Sequence, residues 1–197
     1  MAQNSNLENK PSNLKGTSKK INTEFYEKEC QNDANACYEL GLMYELGIRV
    51  SKDLPKARSL FAKACKGGNF QSCNDLGVLF FNSNNFDSAE EFFGIACEKN
   101  IANSCANLAE IKGIKNDKNA QKEILVKSCE NNDGMACNNL GILQNAYENF
   151  KKSCELKNAL GCANYALELE KIGEENEAKK ILKKACDLGD LQSCKKR

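Results

Sequence analysis

Twelve regularly spaced cysteines constrain the fold of this 197-residue chain more than any other feature of its sequence. They form six pairs whose members lie seven or eight positions apart. The pairs are Cys30/Cys37, Cys65/Cys73, Cys97/Cys105, Cys129/Cys137, Cys154/Cys162 and Cys186/Cys194. Their first members recur at intervals of 35, 32, 32, 25 and 32 residues. A period in this range is typical of repeat proteins, in which each repeat is one small supersecondary unit.

Apolar and small residues repeat in register with the cysteines. Three and four positions after the second cysteine of a pair lie Leu40-Gly41, Leu76-Gly77, Leu108-Ala109, Leu140-Gly141 and Tyr165-Ala166. Four positions before the next first cysteine lie Phe61, Phe93, Leu125, Phe150 and Leu182. The repetition therefore extends beyond the cysteines to the residues expected in a core.

Between Cys37 and Cys65 the apolar residues follow the period of two successive helices. Gly47 suits the end of the first helix, where a left-handed conformation is common. Asp53 suits the N-cap of the second helix, and Pro55 is tolerated in its first turn. The sequence therefore predicts one helix pair in each repeat.

The cysteine spacing favours local disulfides. One cysteine of each pair falls in the last turn of a helix and the other in the first turn of the next, so the two can meet across the connecting turn. Closing a loop of about eight residues contributes roughly 2.5 kcal/mol by the loop-entropy estimate. Sequence alone leaves other connectivities open, and buried free thiols in a reducing compartment are a further alternative.

The predicted fold is all-α: a right-handed superhelical solenoid of short antiparallel helix pairs with disulfides at the repeat junctions. Residues 1–20 are polar and are predicted to be a disordered tail, and residues 21–197 are predicted to form the solenoid. Its predicted parts are a cap helix at 21–33, repeats at about 34–69, 70–101, 102–133, 134–158 and 159–190, and a C-terminal stub at 191–197.

The fourth repeat departs from the pattern, because its interval from Cys137 to Cys154 is seven residues shorter than the corresponding interval in three other repeats. We expect short helices there and a change in the curvature of the superhelix. The sequence ends just past Cys194 without a full capping helix, so we expect this end to be exposed or paired with another molecule.

Several kinds of chemistry are disfavoured by composition. The chain has no histidine, which removes Ser-His-Asp and Cys-His catalysis and imidazole metal ligation. The short cysteine spacings of zinc sites and the C-x-x-C redox motif are absent, so no metal and no cofactor are predicted. A formal net charge of +1 does not favour nucleic acid, and no apolar run is long enough to predict membrane insertion.

The pattern from Cys37 through Leu40-Gly41 and Tyr44 to Gly47, continued by Lys56-Ala57, Phe61, Ala64-Cys65 and Gly67-Gly68, resembles the Sel-one-like (Sel1-like) repeat, a relative of the tetratricopeptide repeat. Its cysteine-stapled form resembles the Helicobacter cysteine-rich protein family of secreted or periplasmic bacterial proteins. The resemblance covers about residues 21–197. Similar cysteine-rich arrays occur in a mitochondrial cytochrome oxidase assembly factor, which is the alternative kinship.

The resemblance implies a scaffold that binds an unidentified protein or peptide on its concave face. In related repeats, asparagines near the start of the first helix hydrogen-bond the backbone of an extended peptide. The corresponding candidates are Asn74, Asn107, Asn138, Asn139 and Asn164. The alternative is that they are helix-start or solvated residues of an asparagine-rich chain.

A disulfide-rich protein needs an oxidising compartment, yet no signal peptide is visible in this sequence. The expectation is a periplasmic or secreted protein whose export signal is missing from the sequence given. The mitochondrial intermembrane space is the alternative.

Two other functions are implied only by the resemblance. Some Helicobacter cysteine-rich proteins are described as penicillin-binding proteins or weak β-lactamases, and a secreted host-interaction factor is a second alternative. Serine β-lactamases need Ser-x-x-Lys with further S-D-N and K-T-G elements. Ser12 with Lys15 and Ser193 with Lys196 match the first element, but the others are absent, so no catalytic residue is predicted.

Overall fold

The computed structural model describes residues 23–101 and 103–195, in which all regular structure is helical. The helices are α1 (Thr23–Glu29), α2 (Ala34–Leu46), α3 (Leu54–Lys66), α4 (Phe70–Asn82), α5 (Phe86–Glu98), α6 (Ser104–Ile114), α7 (Lys118–Glu130), α8 (Gly134–Gln144), α9 (Tyr147–Glu155), α10 (Ala159–Lys171), α11 (Glu175–Asp187) and α12 (Leu191–Cys194). The predicted tail at 1–20, the first two residues of the predicted cap helix and the last two of the predicted stub lie outside the described residues.

Consecutive helices pack against each other along the whole described chain. The helix pairs α2–α3, α4–α5, α6–α7, α8–α9 and α10–α11 each fall within one predicted repeat. We call the earlier member of each pair its first helix. First helices also approach one another across repeats, as α6 does with α8 and α8 with α10. The predicted all-α solenoid of helix pairs is therefore confirmed.

Asparagine and aspartate side chains begin most of these helices. Asp33, Asp53 and Asn69, for example, accept hydrogen bonds from the backbone N–H groups of the helices that follow them. Other asparagines adopt positive φ in the turns, at Asn84, Asn100, Asn103, Asn116, Asn132 and Asn145, a conformation that asparagine tolerates better than most residues. Much of the asparagine content therefore serves helix capping and turns.

Six disulfides sit at the junctions between successive repeats. They join Cys30–Cys37, Cys65–Cys73, Cys97–Cys105, Cys129–Cys137, Cys154–Cys162 and Cys186–Cys194, with Cα–Cα distances from 4.3 to 4.9 Å. In the first pair Cys30 lies just after α1, and in the others the earlier cysteine lies at the end of a second helix. Each bond therefore fixes the angle at which one helix pair passes to the next.

The core of each pair centres on the Gly or Ala of the first helix and the Phe or Leu of the second. A Cβ atom on Gly41, Gly77 or Gly141 would lie 2.6 Å from the ring of Phe61, Phe93 or Phe150, respectively. In the third and fifth repeats the first-helix residue is alanine, and the facing residue is Leu125 or Leu182. Repeats with glycine at this position of the first helix therefore have phenylalanine at the facing position of the second helix, and repeats with alanine have leucine there.

The fourth repeat loses its seven residues unevenly. Counted from the cysteine near its start, Cys137, α8 ends two residues earlier than the other first helices do. The turn between α8 and α9 has one residue fewer than the turn in most other repeats. Counted back from Cys154, α9 begins four residues later than the other second helices do. The expected short helices are therefore present, and most of the deletion falls in α9. The end of α10 consequently extends past the end of α8, its neighbouring first helix.

An ion-pair cluster joins the second and third repeats. Lys112 and Lys115 of the α6 region contact the carboxylate of Glu90 in α5, at 2.5 and 2.7 Å, and Lys115 also contacts Asp87. Hydrogen bonds from the two lysines hold the pKa of the Glu90 carboxyl below its usual value. Lys112, the only lysine of α6, and Lys115, which directly follows α6, are therefore both paired with carboxylates of the second helix α5.

Candidate binding surface

The five candidate asparagines lie near the start of α4, α6, α8 and α10, all of which are first helices. We use the term first-helix face for the exposed side chains of α2, α4, α6, α8 and α10. The residue two positions after the second cysteine lies on this face in every repeat, as Glu39, Asp75, Asn107, Asn139 and Asn164. These side chains are partly exposed.

Polar side chains connect successive first helices by a recurring hydrogen bond. One partner in each bond directly follows the second cysteine of its own repeat. The other partner lies two positions after the second cysteine of the next repeat. The three observed bonds run from Tyr38 to Asp75 at 3.0 Å, from Asn107 to Asn74 at 3.3 Å and from Asn164 to Asn138 at 2.7 Å, the donor being named first. We call each bond a rung.

The junction between the third and fourth repeats has no such rung in the described structure, because its first member is Ala106, which has no polar side chain. Asn139, the second member, instead accepts a hydrogen bond at 3.3 Å from the neighbouring Asn138. Its amide nitrogen has no protein partner in the described part of the chain. Asn139 is therefore the amide on this face that the repeat contacts use least.

The rungs divide the five candidate asparagines into two groups. Asn74 and Asn138 are buried, and their side-chain oxygens accept hydrogen bonds from the next repeat. Asn107, Asn139 and Asn164 are partly exposed. Four of the five therefore take part in hydrogen bonds between repeats, and three of the five, Asn107, Asn139 and Asn164, are also accessible at the first-helix face.

Replacing Asn138 with Ala should lower the stability of the oxidised chain by about 1–2 kcal/mol, because it removes a buried acceptor and leaves the Asn164 amide without it. Chemical denaturation of Asn138→Ala, Asn164→Ala and the double variant measures the coupling. Asn119→Ala, an exposed change on α7, is the control and should have little effect. Strictly additive losses would show that this rung contributes nothing.

Exposed apolar residues extend the first-helix face toward the C-terminal repeats. Ile142 of α8 is 62% exposed, and Leu167 of α10, at the equivalent position, is 39% exposed. A surface depression lined in part by Phe150, Asn164 and Leu167 lies beside them. It lies where the shortened fourth repeat leaves the end of α10 uncovered. The sequence-based prediction missed these residues, although they recur five positions after the second cysteine.

The electrostatic environment of this face changes along the array. Burial and the neighbouring Asp75 carboxylate raise the pKa of the Tyr38 phenol, which therefore remains a hydrogen-bond donor. Desolvation raises the pKa of the carboxyls of Glu39 and Glu110. Toward the C-terminal end, the hydrogen bond between the hydroxyls of Tyr165 and Tyr147 raises the pKa of Tyr165 to about 12. Neutral and acidic groups therefore dominate this face.

Within the described residues, no cluster of three or more His, Cys, Asp or Glu side chains could hold a metal ion. No described helix combines the length and apolar content needed to cross a membrane. Ser193 is 2% exposed and its hydroxyl is hydrogen-bonded to Asp190, the N-cap of α12. Its hydroxyl therefore supports helix capping, while Ser12 lies outside the described residues.

Comparison with known proteins agrees with this architecture. The profile of the Sel1 repeat family matches residues 34–69, and that of the tetratricopeptide repeat matches residues 161–188. No curated protein matches the chain significantly in sequence. The Sel1 match covers the first helix pair, from which the repeat pattern was deduced.

Solved structures of low sequence identity share the fold. A protective antigen of uropathogenic Escherichia coli with an SLR fold is 23% identical at a TM-score of 0.69, and the match covers 83% of this chain and 40% of the antigen. A Sel1 repeat protein from Oxalobacter formigenes is 20% identical at a TM-score of 0.73, covering 83% and 75%. YrrB, a tetratricopeptide protein with an unusual peptide-binding site, is 17% identical at 0.51, covering 87% and 96%.

This chain thus spans less than half the length of the E. coli antigen. These similarities establish a repeat scaffold of the kind suited to protein–protein interaction. Kinship with the Helicobacter cysteine-rich family in particular stays a prediction. The chain thus contains a Sel1 repeat at residues 34–69 and a tetratricopeptide repeat at residues 161–188, within a helix-pair solenoid that shares the fold of solved Sel1 repeat proteins.

Proposed function

We propose that this chain is a scaffold that binds a protein or peptide segment on its concave face, formed by the first helices. The close approach of α6 to α8 and of α8 to α10 supports this assignment of the concave side. Stacked helix pairs curve into a superhelix whose inner face offers an extended binding surface. The helices on the inner side of a curved array are the ones that come closest together.

The strip formed by α8 and α10 is the observation that carries the proposal. Asn139 and Asn164 offer accessible amide groups on adjacent first helices, and Ile142 and Leu167 are exposed three residues further along each helix. An extended segment presents backbone N–H and C=O groups together with alternating side chains. The amides suit its backbone, and the apolar residues suit its side chains.

The compartment belongs to the same proposal. Six disulfides with no free cysteine among the described residues fit an oxidising environment. We therefore place the scaffold in the periplasm or outside the cell. Such a compartment would also expose the first-helix face to partners from the cell envelope or from outside the cell.

Selection of random twelve-residue peptides against the oxidised full chain tests the proposed surface. Enriched peptides should lose at least about tenfold in affinity for Ile142→Asp, because a charge would replace an apolar contact that binding buries. Ile172→Asp is a matched control, since Ile172 is 64% exposed but lies in the turn between α10 and α11. Peptides that bind both variants as they bind the unchanged chain would contradict the proposal.

A further inference from the structure

Basic residues are distributed unevenly between the two kinds of helix. The first helices α2, α4 and α8 contain no lysine or arginine, and α6 and α10 contain one lysine each. The second helices α3 and α11 carry four basic residues each, although the second helix α5 has none and is acidic. The formal net charge of +1 therefore conceals first helices that are poor in basic residues.

Carboxylates recur on the first-helix face of the first three repeats. Glu39 on α2 and Asp75 on α4 occupy equivalent positions, and Glu110 on α6 lies one helical turn further along. Lys112, the lysine nearest Glu110 in α6, is paired with Glu90 of α5 at 2.5 Å. The acidic row therefore has no matching basic row on the same helices.

Glu39 and Glu110 lack a cationic partner within the described residues. Desolvation is the cause that raises the pKa of each carboxyl, and neither forms an ion pair there. Glu39 is partly exposed and Glu110 is exposed, so both carboxylates are accessible to a ligand. A cation brought by a ligand could pair with either carboxylate, so these two positions are suited to binding.

The C-terminal part of the same face has a different character. Helix α8 contains no charged residue, and Ile142 and Leu167 are exposed on α8 and α10. The depression beside Asn164 is lined by Phe150 and Leu167, and at the end of α10 also by Glu168, Glu170 and Lys171. The face therefore changes from one that carries carboxylates, on α2 to α6, to one with exposed apolar side chains at Ile142 of α8 and Leu167 of α10.

We infer that the partner is an extended polypeptide segment with basic residues at one end and apolar residues at the other. The inference rests on the proposed function and specifies the ligand of the same surface. Packed helices lie about 10 Å apart, which an extended chain spans in about three residues. Basic residues about three positions apart would therefore meet carboxylates on successive first helices, and roughly twelve residues would span the five first helices.

Three labelled twelve-residue peptides test this inference on the oxidised full chain. Each has three isoleucine or leucine residues in one half. The other half carries lysine, glutamine or glutamate at every third position. We expect the lysine peptide to bind at least about tenfold more tightly than the glutamine peptide, and the glutamate peptide to bind most weakly, because the facing charges are acidic. Fluorescence anisotropy at low and moderate salt measures the three affinities.

Paired variants locate the charge effect. Glu39→Gln with Glu110→Gln should weaken the lysine peptide about tenfold and leave the glutamine peptide unchanged. Glu91→Gln with Glu123→Gln makes the same change in net charge at exposed positions on the second helices α5 and α7, and should change the affinity less than about twofold. Both double variants should keep the thermal midpoint of the unchanged chain, since no ion pair of the described structure is removed.

Each outcome decides one of the two proposals. If all three peptides bind equally and Ile142→Asp abolishes their binding, the inference that the partner carries basic residues is wrong. The proposal of a scaffold that binds on its concave face then stands. Equal weakening of the lysine peptide by both double variants would overturn the same inference, because the attraction would then be general rather than local. Failure of all three peptides to bind, or binding indifferent to both Ile142→Asp and the Glu39/Glu110 pair, would overturn both.

Discussion

Reduction of the six disulfides is expected to abolish the cooperative fold of this chain at room temperature. Each bond closes a loop of about eight residues, which contributes roughly 2.5 kcal/mol by the loop-entropy estimate. Domains are stable by only about 5–15 kcal/mol in total. Because helix pairs of about 25 residues bury little core by themselves, the array without its disulfides should retain at most partial helicity.

Circular dichroism and thermal denaturation before and after reduction, with the thiols alkylated, measure this effect. A chain alkylated while still oxidised is the control and should keep its helicity, because the described structure contains no free cysteine. A sharp, undiminished unfolding transition after complete reduction, verified by mass, would show that packing alone sustains the solenoid. The disulfides would then be unnecessary for folding, and the chain would not need an oxidising compartment.

The disulfides should also differ in their susceptibility to reductant. Both cysteines are buried in Cys30–Cys37, Cys65–Cys73, Cys129–Cys137 and Cys154–Cys162, whereas those of Cys97–Cys105 and Cys186–Cys194 are partly exposed. Thiol–disulfide exchange requires access to the attacked sulfur. Limiting reductant should therefore open Cys97–Cys105 and Cys186–Cys194 before the four buried bonds, in an order that alkylation and peptide mapping can establish.

Most of the fold could be predicted because its signals are local in sequence. A cysteine near the end of one helix and another in the first turns of the next have few ways to meet except across the turn between them. The helix ends could be predicted as well. Gly47 adopts the left-handed conformation at the end of α2, and Asp53 caps α3, as the sequence indicated. Short-range geometry determines each of these features.

The binding surface was only partly predictable, because it depends on how one repeat is rotated against the next. The sequence placed Asn74 and Asn138 beside Asn107 and Asn164 as one candidate group. It could not show that the first two are buried and bonded to the others across repeats. That distinction arises from the packing of neighbouring first helices, for which a single sequence gives no register.

Gln121 interrupts the repeat pattern of the second helices, and the structure shows how the third repeat accommodates it. It occupies the position in the second helix where other repeats have Ala57, Ala89 and Ala178. The facing residue is Gly113, on which a Cβ atom would lie 2.6 Å from the Gln121 amide nitrogen. The side-chain oxygen of Gln121 is buried without a hydrogen-bond partner in the described residues. The third repeat thus accommodates a larger polar side chain by using glycine on the facing helix.

Gly77→Ala is expected to destabilise the second repeat by about 1–3 kcal/mol, despite the higher helix propensity of alanine. The new Cβ atom would lie 2.6 Å from the ring of Phe93, which is 1% exposed and packs in a core cluster with Ala89 and Ile111. Gly94→Ala in α5 is the matched control, since nothing lies within 4 Å of its added Cβ. That change should be neutral or stabilising by up to about 1 kcal/mol.

The third and fifth repeats suggest how the loss at Gly77 can be recovered. There, Ala109 faces Leu125 and Ala166 faces Leu182, so alanine is accommodated where the facing side chain is smaller than phenylalanine. Phe93→Leu should therefore relieve the clash in the double variant with Gly77→Ala. We expect a coupling energy of at least about 1 kcal/mol from denaturation of the two single variants and the double. Additive losses would mean that the pairing of glycine with phenylalanine and of alanine with leucine is coincidental, and that each helix tolerates its residue independently.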